Sequence, residues 1–154
     1  MRKLILLLAF IGLLSANDEN AKLVIDLTTS NVKTFDKKVL SGIAAHKNYY
    51  ANSLRELEVA VVIHGGAYRF FLKDPKTSVY KDDKELLASY ADLNKRIATM
   101  ADTYEVEFLM CGVGMKKNKI EKKDLLEFVE VVPNSTIGLI NKQNEGFAYI
   151  PVND

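Results

Sequence analysis

Four short segments of this chain carry groups that can do chemistry. Cys111, the single cysteine, follows the apolar run Phe108-Leu109-Met110 and opens Cys111-Gly112-Val113-Gly114-Met115. His64 closes another apolar run and precedes Gly65-Gly66-Ala67. Two polar clusters, Thr28-Thr29-Ser30-Asn31 and Pro133-Asn134-Ser135, follow two further runs. A lone thiol cannot close an intrachain disulfide, and without Cys-x-x-Cys there is no thioredoxin-type exchange within one chain. What remains is a nucleophile, a carrier of sulfane sulfur, or a packed and inert side chain, since cysteine is among the most buried residue types.

Reactivity needs the thiolate. Gly112 and Gly114 let the backbone turn closely around the sulfur. A helix N-terminus nearby lowers a thiol pKa, and His64 or Lys116 can add positive charge. His64 therefore has two readings, a stabiliser of thiolate or bound anion, or a cap on its own strand end. The backbone N–H groups of Gly65, Gly66 and Gly112, with Lys116, form a candidate anion-binding set. The same Gly-Gly pair also serves as a plain tight turn. His46 falls on an apolar helical stripe and reads as a packing or subunit-interface residue. The run Lys116-Lys117-Asn118-Lys119, with Lys122 and Lys123, is either a solvated face or a docking patch for an acidic partner. Two separated histidines and one cysteine supply no metal site. No P-loop, dinucleotide fingerprint or Gly-x-Ser-x-Gly elbow occurs, so no cofactor is expected.

The elements that must position these residues alternate. Strands are predicted over Leu23 to Leu27, Leu57 to His64, Val106 to Met110, Val129 to Val132 and Phe147 to Ile150. Helical spacing links Phe35, Val39, Ile43, His46 and Tyr50, and again Leu86, Tyr90, Leu93, Ile97, Ala101 and Tyr104. Shorter helical pieces are expected at Ala67 to Leu72, at Lys122 to Phe128 and from Pro133 to about Asn144. The segment after Cys111 reads as a glycine turn. The order β-α-β-α-α-β-α-β-α-β predicts an α/β fold, a three-layer α/β/α sandwich around a five-stranded, mainly parallel sheet. Ligands in such sheets bind beyond the carboxyl ends of the strands. If the second and third strands are neighbours, His64 and Cys111 share that rim.

Met1-Arg2-Lys3, the apolar stretch from Leu4 to Leu14 and the small pair Ser15-Ala16 have the layout of a secretory signal peptide. The stretch is shorter than the roughly 20 residues that span a bilayer. We therefore expect a signal peptide over 1–16, a single domain over 17–154, and a periplasmic protein with no membrane association after cleavage. Loss of Arg2 and Lys3 leaves 19 basic residues against 20 acidic ones. That balance argues against nucleic acid as a partner.

Taken together, His64-Gly65-Gly66-Ala67, Cys111-Gly112-Val113-Gly114-Met115, Val131-Val132-Pro133-Asn134-Ser135 and Gln143 to Ile150 resemble the DsrE/DsrF-like family of sulfur-relay proteins. The likeness covers about residues 22–152 and is greatest to an exported branch with a Cys-Gly-x-x-Met segment. It implies a DsrE-like domain that assembles as a trimer or hexamer. It also implies a cysteine that accepts sulfur as a persulfide and hands it on, with Cys111 in that place. Sulfur donor and acceptor, proteins or small sulfur species, would be the partners. The protein would act as a carrier, not as an enzyme turning over alone. The competing reading is a non-catalytic oligomeric binding protein for a small anion or a protein partner.

Overall fold

A computed structural model gives the arrangement of residues 20–154; the expected leader lies outside the described residues. Five strands, β1 (Ala21–Leu27), β2 (Leu57–Ile63), β3 (Glu107–Cys111), β4 (Val129–Val132) and β5 (Ala148–Val152), form one sheet in the order β4-β3-β2-β1-β5. Every pairing is parallel. β2 carries five consecutive buried residues, Val59 to Ile63. A strand covered on both faces requires that pattern.

Strand residues alternate between two unequal faces. Leu23, Ile25, Leu27, Val59, Val61, Ile63, Phe108 and Met110 join the larger core. The helices on that side are α1 (Val32–Thr34), which runs on as a π-helical Phe35–Ser41 into α2 (Gly42–Ala51), then α3 (Lys84–Asp102) and α4 (Gly112–Lys117). The opposite face, with Val24, Ala60, Val62 and Leu109, is covered by α5 (Ser135–Asn144) through Leu139. Gly138 permits the close seat: a Cβ there would lie 3.3 Å from Val132 and 3.5 Å from Val62.

Chain order explains why the layers are unequal. The segments joining β1 to β2, β2 to β3 and β3 to β4 all contribute to the larger core. Only α5, between β4 and β5, crosses the other face, because β5 must pair with the far side of β1. The outgoing connections of β3 and β4 thus leave toward opposite faces. That gap between neighbouring strands is the switch point where open α/β sheets bind ligands.

Three local differences from the sequence reading have physical causes. The first long helix passes through a seven-residue π-helical stretch, so its buried residues are Phe35, Val39, Leu40 and Ile43, and His46 is exposed. The wider turn shifts the stripe away from ordinary helical spacing. The helix expected over Lys122 to Phe128 shrinks to a single 3-10 turn, Lys122–Asp124. Conversely, the expected glycine turn after Cys111 is α4, which makes Cys111 the helix N-cap.

Candidate functional site

Cys111 ends β3 in register with Val132 and starts α4 from an extended backbone, φ −67° and ψ 111°. It lies at the β3/β4 switch point and is 6% exposed. Polar groups from three segments gather at it, among them the Gly114 amide of the first turn of α4. The Tyr68 hydroxyl, from the 3-10 turn Ala67–Phe70, donates to the Cys111 carbonyl at 2.8 Å. Ser135 arrives on the first turn of α5, which Asn134 caps by accepting from the Ile137 amide at 2.9 Å. Burial pushes the Cys111 thiol up, but the Gly114 amide, the Tyr68 hydroxyl and the amide and hydroxyl of Ser135 outweigh it. The net effect holds the thiol below its ordinary pKa. Burial, the bond to Cys111 and the nearby sulfur push the Tyr68 hydroxyl well up, so it remains a donor.

Gly114 makes that approach possible. A Cβ at this position would lie 1.9 Å from the Tyr68 hydroxyl oxygen and 2.6 Å from Cζ. The glycine was expected to bend the chain around sulfur. What it provides is room for a tyrosine.

His64 sits one residue beyond β2, its amide donating to the Leu27 carbonyl at 3.0 Å. β2 and β3 are neighbours, and Ile63 pairs with Met110. One further rung places His64 opposite Cys111, on strands about 4.8 Å apart. The ring is engaged elsewhere: Nε2 lies 2.5 Å from an Asp26 carboxylate oxygen, whose second oxygen accepts from the Tyr149 hydroxyl at 2.7 Å. Strand alternation puts Asp26, Val62 and Tyr149 on the α5 face.

The expected anion-binding set is dispersed. The Gly66 amide donates to the Thr28 carbonyl at 2.9 Å and is not free for a ligand. Gly65 takes φ +60°, and a Cβ on Gly66 would lie 2.7 Å from Ser30 Cβ, so the pair serves close packing of two rim loops. Lys116 is exposed in the last turn of α4, away from the Cys111 end. Gly112 lies against β4, where a Cβ would stand 3.0 Å from the Val132 carbonyl. On the β1 rim, the Asp154 carboxylate accepts from the Thr29 hydroxyl, the Ser30 amide and hydroxyl, and the Asn31 amide. Among the described residues no His, Cys, Asp and Glu group could hold a metal ion.

Sequence reasoning missed Tyr68, Asp26 and Tyr149. Asp26 left a signal: a carboxylate inside the apolar run Leu23 to Leu27. Tyr68 left none, since only the fold brings it over Gly114.

A parallel sheet with a polarised cysteine at its switch point defines a class of single-thiol α/β protein. Within that class, a model of the DsrE/DsrF-like family matches residues 15–152, and the chain belongs to this family. A protein of unknown function from Methanobacterium thermoautotrophicum has a similar structure, with TM-score 0.56 and 23% identity. That likeness covers 86% of this chain and 99% of the other, and it shows the shared fold. An uncharacterized protein of Aquifex aeolicus (strain VF5) is 41% identical over 59 residues, 38% of this chain. The match spans 26% of that relative's own length.

Proposed function

We propose that this DsrE-like protein is a periplasmic sulfur carrier that works through a persulfide on Cys111. The observation that carries the reading is the lowered pKa of a thiol set between Tyr68, Gly114 and Ser135 at the switch point. The thiolate attacks the outer sulfur of thiosulfate, a polysulfide or a protein persulfide. A new S–S bond forms on Cys111, the donor S–S bond breaks, and the leaving sulfite or thiolate keeps the electron pair. Loading is redox-neutral sulfur transfer. No second cysteine exists to resolve the product, so an acceptor must remove it.

Apolar Val113 and Val131 stand 62% and 40% exposed beside Gly112, next to the thiol. They suit a docked donor, acceptor or second copy, in keeping with the trimer or hexamer that the family likeness implies. Export rests on the leader pattern of Met1 to Ala16.

Incubation with polysulfide followed by intact-mass measurement tests the proposal. The wild type should gain one or more sulfur atoms and Cys111→Ser none. Equal gain by both, or none by the wild type, removes the carrier reading. The 6% exposure of Cys111 favours a second reading, an oligomeric binding protein in which the thiol is packing. Labelling of the native protein by a bulky thiol reagent separates the two: rapid modification supports the carrier, and modification only after denaturation supports the binder.

A further inference from the structure

Each strand of the sheet, or the segment that follows it, brings a polar residue toward the Cys111 end of the sheet. Tyr149 comes from β5, Asp26 from β1, His64 from the end of β2, Cys111 from β3 and Ser135 from the segment after β4. The first three are joined by hydrogen bonds, Tyr149 to Asp26 and Asp26 to His64. Neither Cys111 nor its immediate donors require that chain. It is also out of place in a sheet core, where a carboxylate at 16% side-chain exposure costs free energy unless its oxygens are bonded.

The geometry points to Asp26 and Tyr149 as positioning residues that hold the His64 imidazole with its proton on Nε2, leaving Nδ1 as the free base of the rim. An ionised carboxylate only accepts hydrogen bonds. One Asp26 oxygen accepts from Tyr149, whose hydroxyl this bond holds as a donor by pushing its pKa up. The other lies 2.5 Å from Nε2, so Nε2 carries the proton. Asp26 of β1 is the titratable group bonded to the ring, Tyr149 of β5 is bonded to Asp26, and Cys111 ends the adjacent strand β3. The side chain of His64 is 27% exposed.

This inference rests on the carrier reading for its purpose. Nδ1 takes the proton that Cys111 loses as its thiolate forms. After sulfur transfer the same proton goes to the departing donor thiolate, giving a neutral thiol. The donor S–S bond is the only covalent bond between heavy atoms that breaks, and the new S–S bond on Cys111 is the only one that forms. A carboxylate behind the imidazole fixes the orientation and tautomer of the ring, the role an aspartate plays behind a catalytic histidine.

The test is ring-nitrogen NMR of histidine-labelled protein, together with the rate of Cys111 alkylation by iodoacetamide. Neutral His64 should show the Nε2–H tautomer. Alkylation at neutral pH should be faster in the wild type than in a variant that lacks the Asp26 acceptor. Asp26→Leu, which suits the apolar strand, should give mixed tautomers and slower alkylation. Asp26→Asn gives Tyr149 the single oxygen and turns its NH2 to the ring, so it should shift His64 to the Nδ1–H tautomer. Tyr149→Phe, at an edge where Tyr149 is 44% exposed, should fold normally and slow alkylation by less than Asp26→Leu does. A wild-type Nδ1–H tautomer, or an Asp26→Leu protein with unchanged tautomer and rate, overturns the inference. A protein with the expected tautomer and alkylation rates that nonetheless gains no sulfur supports the positioning of His64 and sinks the carrier reading alone.

Discussion

Gly114→Ala should damage this protein far more than a glycine-to-alanine change in a helix ordinarily does. The added Cβ would lie 1.9 Å from the Tyr68 hydroxyl oxygen, 2.6 Å from Cζ and 2.9 Å from Cε2. Tyr68 cannot swing away, because it is 1% exposed and packed within the main core. Overpacking of a filled core costs about 1–3 kcal/mol. Displacing the tyrosine also takes from the Cys111 carbonyl a buried hydrogen bond, and a buried group left without its partner costs about 1–3 kcal/mol. Alanine returns about 1 kcal/mol of helix propensity. The net expectation is a loss of about 3 kcal/mol, read as a lower urea midpoint at unchanged m-value. Tyr68→Phe removes the closest atom of the clash, so the second substitution should cost less in that background, by about 1 kcal/mol or more. The Cys111 pKa should rise in both variants, since each disturbs a group that favours the thiolate. A cost below about 1 kcal/mol for Gly114→Ala, or strict additivity with Tyr68→Phe, would refute the argument that this glycine exists to admit the tyrosine.

Three further outcomes are expected. The folded-state pKa of Cys111 is depressed, so its reactivity with a small alkylating reagent should reach its plateau at lower pH than a free thiol, and Ser135→Ala should move the plateau upward. Gly66→Ala, which forces Cβ to within 2.7 Å of Ser30 Cβ, should cost about 1–3 kcal/mol in a urea titration; a neutral result would show that the rim loops separate freely. Burial depresses the Lys142 ammonium, but its contacts with Glu107 and Glu145 outweigh that and raise its pKa. A raised folded-state pKa means stabilisation that is complete below the unfolded value of about 10.4 and is lost as pH rises through the folded one. Lys142→Met should therefore lose about 1 kcal/mol at neutral pH and show a flatter decline of stability at alkaline pH.

Strand positions were legible because a parallel sheet buried on both faces demands continuous apolar runs. Leu57 to His64 and Val129 to Val132 differ from the observed strands by at most one residue. Ends beside glycines were harder. Gly112 and Gly114 both have high intrinsic helix cost, so α4 reads as a turn until Tyr68 and β4 are seen packed against them. The π-helical stretch was invisible for a related reason. Its period differs from the helical template by less than one residue per turn, too little to detect over seven positions.

From the amino-acid order alone came the α/β alternation, the rim location of Cys111 and His64, and the family, since all three depend on local periodicity and short motifs. The neighbours of the thiol came only with the fold. Tyr68 lies 43 residues from Cys111 in the chain, and Asp26 lies 38 from His64. Their meetings follow from the strand order β4-β3-β2-β1-β5 and from the single crossing of α5 over the far face. Hydrogen-bond partners are chosen by distance in space, and no local pattern records which loops a parallel sheet will bring to the same edge.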